Sequence, residues 1–249
     1  MAGLVLALSV GVALDGAEAR KKKKQPDAPP PPPLVVIPQR PYAPNGAHWG
    51  LALPAQGPDG VFVSVNRNIS PAQITWNLRS AYNVGALNCA EPLRTEITNG
   101  YRAFLRTHAR GLATANRTVD AEFRRQYGAR FVRDREAYMT GVYNHFAMPI
   151  TLEAFCNAML AVSRDAKTIK TTDLNTFAAR SLPSVEIVFD DFYRRYAQWK
   201  TEITAWDSQY YDMYVQRYKA APYGPPNTVA PPAQVAAVGP APTAASAGR

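Results

Sequence analysis

Ser184–Arg217 reads SVEIVFDDFYRRYAQWKTEITAWDSQYYDMYVQR. Within it Val185, Phe189, Phe192, Tyr196, Trp199, Ile203, Trp206, Tyr210, Met213 and Arg217 alternate at spacings of four and three. A helix places such a heptad series on one face, and Asp, Glu, Lys and Arg occupy other positions. At 1.5 Å per residue the predicted helix is roughly 50 Å long. Aromatic rings make poor coiled-coil knobs, because the holes favour Leu, Ile and Val. The seam is therefore read as the central or flanking helix of a bundle. The alternative is a dimer seam or partner groove through Trp199, Trp206, Tyr210 and Tyr214. Beyond about Trp206 the helix is expected to project, which would expose Tyr210, Tyr211, Tyr214 and Tyr218.

The same periodicity extends back from this helix. Four prolines lie between Ser70 and Lys219, and each is read as a helix start, because the first helical turn needs no N–H from proline. Ser70-Pro71-Ala72-Gln73 forms a capping box, followed by Ile74, Leu78, Ala81 and Gly85, with the end near Cys89. Pro92 opens a helix with Leu93, Ile97, Tyr101, Phe104, Leu105, His108 and Leu112 on one face over five turns. Thr118 is expected to cap a short segment carrying Val119, Phe123 and Tyr127, which Gly128 ends. Phe131, Arg135, Tyr138, Met139, Val142 and Phe146 make the next helix, which stops before Pro149. Thr151 opens one with Leu152, Phe155, Cys156, Met159 and Leu160 inward. Asp173 is expected to cap a short helix through Leu174 and Phe177 that stops before Pro183, and Ser184 to cap the last.

Residue distribution sets the domain limits. The chain has 249 residues, and 18 of its 22 prolines fall in 1–69 and 220–249, whereas 22 of its 26 aromatic residues fall in 70–219. The expected fold class is all-α, a bundle of five to six helices over 70–219. A domain of that size buries roughly 68–70% of its unfolded surface. In residues 34–69, Leu34–Ile37 and Val61–Val65 are β-branched runs between Pro, Gly and Asn, read as short strands or extended segments lying on the bundle. Residues 20–33 are a basic and Pro-rich linker, whose QPDAPPPPP stretch favours an extended polyproline spacer. Residues 220–249 are Ala/Pro-rich, with no aromatic after Tyr223, and are expected to be disordered.

Residues 1–19 resemble an export signal in composition. Leu4–Leu14 is an eleven-residue apolar run followed by Ala17-Glu18-Ala19, a small-x-small cleavage pattern. No basic residue precedes the run, and Arg20–Lys24 follow it, against the usual order. An upstream start supplying the charge would restore that order. A buried segment of a cytoplasmic protein is the competing reading. Export to the periplasm or cell envelope is the expectation.

In an exported chain two cysteines pair, so Cys89 and Cys156 are the expected disulfide; two buried free thiols are the alternative should the chain stay inside the cell. Two cysteines and three scattered histidines provide no zinc framework, and no cofactor motif is present. His108 falls on an apolar stripe and reads as a core residue. His145 has no carboxylate within reach on its own helix, and His48 lies in the loop-rich segment.

Ala81-Tyr82-Asn83-Val84-Gly85 is similar to the Ala-Tyr-Asn-Ala-Gly box of lytic transglycosylases. The likeness covers five residues, and the Glu-Ser and Gly-Leu-Met-Gln elements that precede the box in that family have no counterpart here. No activity is carried over, and Tyr82 and Asn83 read as packing and capping groups.

Charge is the remaining functional signal. The chain has 28 Lys+Arg against 19 Asp+Glu, a formal net charge of +9. From Arg94 to Arg135 there are ten Arg, no Lys and four acidic residues. Arg102, Arg106 and Arg110 recur every four residues beside the apolar face. Stacked like charges repel by a few tenths of a kcal/mol per pair, and an anionic partner relieves that repulsion. Arg forks grip phosphate and carboxylate in bidentate fashion. Lys21, Lys22, Lys23 and Lys24 would add a basic foot for anionic surface, at about 1 kcal/mol per cation near a charged membrane.

These features point to a non-catalytic envelope protein that binds or scaffolds. Its partner would be an anionic surface (lipid headgroups or acidic glycan) or another envelope protein, with oligomerisation through the last helix as a further option. Export argues against nucleic acid. The alternatives are an envelope hydrolase with a His/carboxylate site assembled in three dimensions, or a carrier with a hollow apolar core.

Overall fold

Helix α1 (Pro71–Asn88) begins as its sequence dictates. The Ser70 hydroxyl accepts from the Gln73 amide, the Gln73 side chain accepts from the Ser70 amide, and Pro71 occupies the first turn. A computed structural model of the chain describes residues 36–219. After α1 follow α2 (Leu93–Thr107), α3 (Ala109–Tyr127), α4 (Phe131–Phe146), α5 (Leu152–Asp165) and the long α6 (Leu174–Lys219). The all-α bundle and its long last helix are thus present. No single helix among the described residues is long and apolar enough to cross a membrane.

The centre of the bundle is α1, which touches all five other helices. A helix surrounded in this way is buried on most sides, and its Thr75, Asn77, Leu78, Ser80, Ala81 and Tyr82 are all fully buried. Its end is fastened to α5 by the Cys89–Cys156 disulfide, with the Cα atoms 5.6 Å apart. Nearby, the Tyr82 hydroxyl donates to Ser163 Oγ at 2.7 Å. A Cβ on Gly100 of α2 would collide with both partners of that bond, so this crossing requires glycine. Tyr82 is therefore a packing group, as its sequence context implies.

Three expectations are corrected. Residues 92–112 do not form one uninterrupted helix: the chain breaks at His108 (φ −106°, ψ 16°), and α3 then runs unbroken to Tyr127 with no start at Thr118. The break redirects the chain while preserving the apolar periodicity, which is why sequence pattern alone runs through it. Gly128, at φ +58°, ends α3 as expected.

Pro183 does not end a helix. It lies exposed inside α6, which continues for 46 residues, roughly 70 Å, from Leu174. An interior proline loses one backbone hydrogen bond and crowds the preceding turn. Burial of Leu182 and Val185 on either side, against the same core as Phe177 and Phe189, offsets this. Ser184 is accordingly no cap; its hydroxyl donates to the Ser181 carbonyl at 2.7 Å.

Val61–Val65 is not a strand. The described residues contain one isolated bridge, between Gln56 and Phe62, and no strand. Of Leu34–Ile37, residues 34 and 35 lie outside the described residues. Residues 37–69, which include a 3-10 turn at Pro44–Gly46 and further turns, pack as a strap along α6 in the antiparallel sense. Trp206 Nε1 donates to the Pro38 carbonyl (2.9 Å), Trp199 Nε1 to Pro41 (3.1 Å), and the Tyr196 hydroxyl lies 2.8 and 2.6 Å from the carbonyls of His48 and Trp49. Further along, Phe62 meets the Tyr193 ring at 5.4 Å, and Ser64 and Asn66 reach Glu186. Prolines in the strap lack the N–H donors a strand ladder needs, and its carbonyls accept instead from indole and phenol donors on α6.

Candidate functional site

Two groupings of chemically capable side chains stand out. The first is polar and buried. The Glu186 carboxylate, on α6, accepts from Ser64 Oγ (2.7 Å), Asn66 Nδ2 (2.7 Å) and His145 Nε2 of α4 (2.9 Å). Asn77 Nδ2, on α1, donates to Asn66 Oδ1 at 2.8 Å and lies 2.6 Å from the Tyr138 hydroxyl. The side chains of His145 and Glu186 are 7% and 14% exposed. The His145 ring lies on Phe189, with centroids 4.0 Å apart. One turn beyond Glu186, burial and the neighbouring Glu186 charge raise the Asp190 pKa above its usual range. The Tyr193 hydroxyl is pushed up to about 12, first by burial and then by the same two carboxylates.

This arrangement brings together His145 and a carboxylate that sequence spacing did not pair, since Glu186 lies 41 residues further on. Its chemistry is nevertheless that of a clamp. In a nucleophilic triad the imidazole stands between hydroxyl and carboxylate, so that it can take the hydroxyl proton. Here the carboxylate stands between Ser64 and His145, and Ser64 donates to Glu186. Three bonds of the cluster join the strap to α6 or α1, and two join α4 to α6 and to α1. Among the described residues two shallow surface depressions occur, of about 470 Å³ beside Trp49 and Lys200 and about 310 Å³ beside Arg94 and Arg102. Neither is lined by His145 or Glu186.

The second grouping is charged and exposed. Arg102 and Arg106 of α2 and Arg110 of α3 all face solvent, opposite the buried Ile97, Tyr101, Phe104 and Leu112. On α3 the row continues at seven-residue intervals through Arg117 and Arg124, opposite Val119 and Phe123. None of these five arginines forms an ion pair with another described residue. Arg117 bonds to Thr114 Oγ1, and Arg124 lies over the Phe131 ring at 4.7 Å. The acidic groups of this region are engaged elsewhere. Glu96 meets Arg164 and Lys167, Asp120 meets Arg135, Glu122 accepts from Ser70, and Asp134 meets Arg133. Those contacts hold the Glu96 carboxyl below its ordinary range, the Arg164 hydrogen bond acting most strongly.

The remaining sequence candidates are placed as follows. Lys21, Lys22, Lys23 and Lys24 lie outside the described residues, as do the proposed signal segment and the 220–249 tail. Trp199 and Trp206 are 8% and 6% exposed. The strap of the same chain covers them, so the seam at these two rings is occupied from within. Tyr211, one turn further, is 45% exposed. Tyr210 and Tyr214 are half-buried and both rings contact Trp206. His108 is 2% exposed between α2 and α3, with Nδ1 lacking a hydrogen-bond partner, and burial lowers its pKa. Among the described residues no cluster of His, Cys, Asp and Glu is arranged to hold a metal ion.

Sequence reasoning missed Glu186, Ser64 and Asn66. A signal for Glu186 existed: Glu186, Asp190 and Tyr193 form a second inward stripe beside Phe189, which places carboxylates next to the core. No family model, characterised protein or solved structure matches this chain.

Proposed function

We propose that this chain is an exported, non-catalytic envelope protein that binds an anionic partner through the arginine row of α2 and α3. The observation that supports the reading is the exposed, unpaired state of Arg102, Arg106 and Arg110 while the neighbouring carboxylates are engaged with other groups. Two adjacent guanidinium groups on one helix face repel by a few tenths of a kcal/mol. A phosphate or carboxylate partner converts that repulsion into charge-assisted bonds. In the proposed exported form, Lys21–Lys24 would reinforce the attraction.

The hydrolase alternative draws on the His145–Glu186 contact, but the order Ser64–Glu186–His145 and the burial of the cluster favour a holding role. Chromatography of the full chain on a sulfated-glycan matrix tests the proposal. Replacing Arg102, Arg106 and Arg110 with Gln should lower the eluting salt concentration well below that of a charge-matched control, in which Lys170, Arg194 and Arg195 are replaced. Equal elution of the two variants would refute the arginine row as the binding face.

A further inference from the structure

We infer that the corner joining α3 to α4 is a membrane-contacting tip, which seats on an anionic lipid surface and inserts its apolar side chains among the headgroups. The inference rests on the anionic-partner reading above and names the source of the anion. Arg124–Arg133 (RRQYGARFVR) carries four arginines and no carboxylate. Among the described residues Arg124, Arg125 and Arg130 are exposed and form no ion pair, and Arg133 meets Asp134. Between them Tyr127 and Val132 are 41% and 54% exposed, among the large apolar side chains least covered by the protein. Gly128, at φ +58°, turns the chain sharply here, so the basic and apolar groups share one corner of the bundle.

That combination is chemically specific. A soluble polyanion would be gripped by the arginines alone and would leave Tyr127 and Val132 in water. A lipid interface satisfies both sets: guanidinium groups meet phosphates while the valine and the phenol ring enter the headgroup layer. Tyr127 stacks on Phe123, with centroids 5.5 Å apart, and Arg124 covers Phe131. The tip is thus braced from beneath, so that insertion requires no unfolding. Its position at the end of α3 continues the row of Arg110, Arg117 and Arg124, which would then run up from the membrane surface.

The test uses the full oxidised chain and vesicles of phosphatidylglycerol and phosphatidylcholine, against phosphatidylcholine alone. The two native cysteines are joined, so Val132→Cys supplies a single thiol for an environment-sensitive fluorophore. Anionic vesicles should brighten and blue-shift the probe, neutral vesicles should not, and a label placed by Asn157→Cys, an exposed position of α5, should stay unchanged. Replacing Arg124, Arg125 and Arg130 with Gln should weaken vesicle partitioning roughly fivefold per charge removed. A chain that binds a sulfated glycan but leaves the Val132 probe unmoved on anionic vesicles would overturn the membrane tip while sparing the arginine row. Failure to bind either would overturn both.

Discussion

Glu186 accepts three hydrogen bonds on one nearly buried carboxylate, so its removal leaves the donors of Ser64, Asn66 and His145 without that acceptor. A buried donor left without its acceptor costs about 1–3 kcal/mol, so losing the acceptor for three donors should cost about 3 kcal/mol or more. Glu186→Ala should therefore lower the urea midpoint by that equivalent and expose residues 37–69 to limited proteolysis. A loss under about 1 kcal/mol would show that the clamp is not formed. His108 gives a pH dependence of known sign. Burial lowers its folded pKa, so the unfolded chain binds a proton that the folded one does not. The contribution is fully present above the unfolded value of about 6.5 and is lost as pH falls below it. His108→Gln should flatten the fall in stability between about pH 7.5 and 5, read as the difference between the two proteins' urea midpoints. The raised Asp190 acts in the opposite sense, favouring the fold at low pH. It is present in both proteins and cancels in that comparison.

At the scale of elements, α6 organises the molecule by serving two partners. Its Val185, Phe189 and Ile203 are buried in the bundle core, and its Trp199, Trp206 and Tyr196 rings hold the strap. The heptad spacing of these residues was apparent from sequence because periodicity is a local property. What fills the seam was not, since Trp206 to Pro38 is a contact across 168 residues. The Pro183 error has a similar origin: local steric rules disfavour an interior proline, and tertiary burial of Leu182 and Val185 overrides them. Continuity of α6 predicts that Pro183→Ala stabilises the protein by up to about 3 kcal/mol. Were a helix to start at Ser184, the substitution would bring no gain. Trp199→Ala should cost about 3–5 kcal/mol, as expected of a large core ring. A loss under 1 kcal/mol would be that of a surface residue.

For the whole molecule, the disulfide and the uneven charge are the governing features. Cys89 and Cys156 close a loop across 67 residues, and constraining the unfolded chain over that distance is worth about 4 kcal/mol. Reduction under denaturing conditions should therefore shift refolding to a lower urea midpoint by a comparable amount. The pairing was predictable from cysteine count. Four-residue spacing picked out Arg102, Arg106 and Arg110 but not Arg117 and Arg124, which follow at intervals of seven beyond the break at His108. The central place of α1 was not predictable, because its short polar-rich pattern reveals burial only once five helices surround it. Functionally, the account depends on cation density that the fold leaves unneutralised on α2 and α3. The most direct measurement is arginine-specific labelling with phenylglyoxal, followed by mass mapping of the full chain with and without anionic vesicles or a sulfated glycan. With the glycan, protection should centre on Arg102, Arg106, Arg110, Arg117 and Arg124; with anionic vesicles it should centre on Arg124, Arg125 and Arg130 at the tip. Protection confined to Arg194, Arg195 or arginines outside the row and the tip, with both still fully labelled, would contradict both readings.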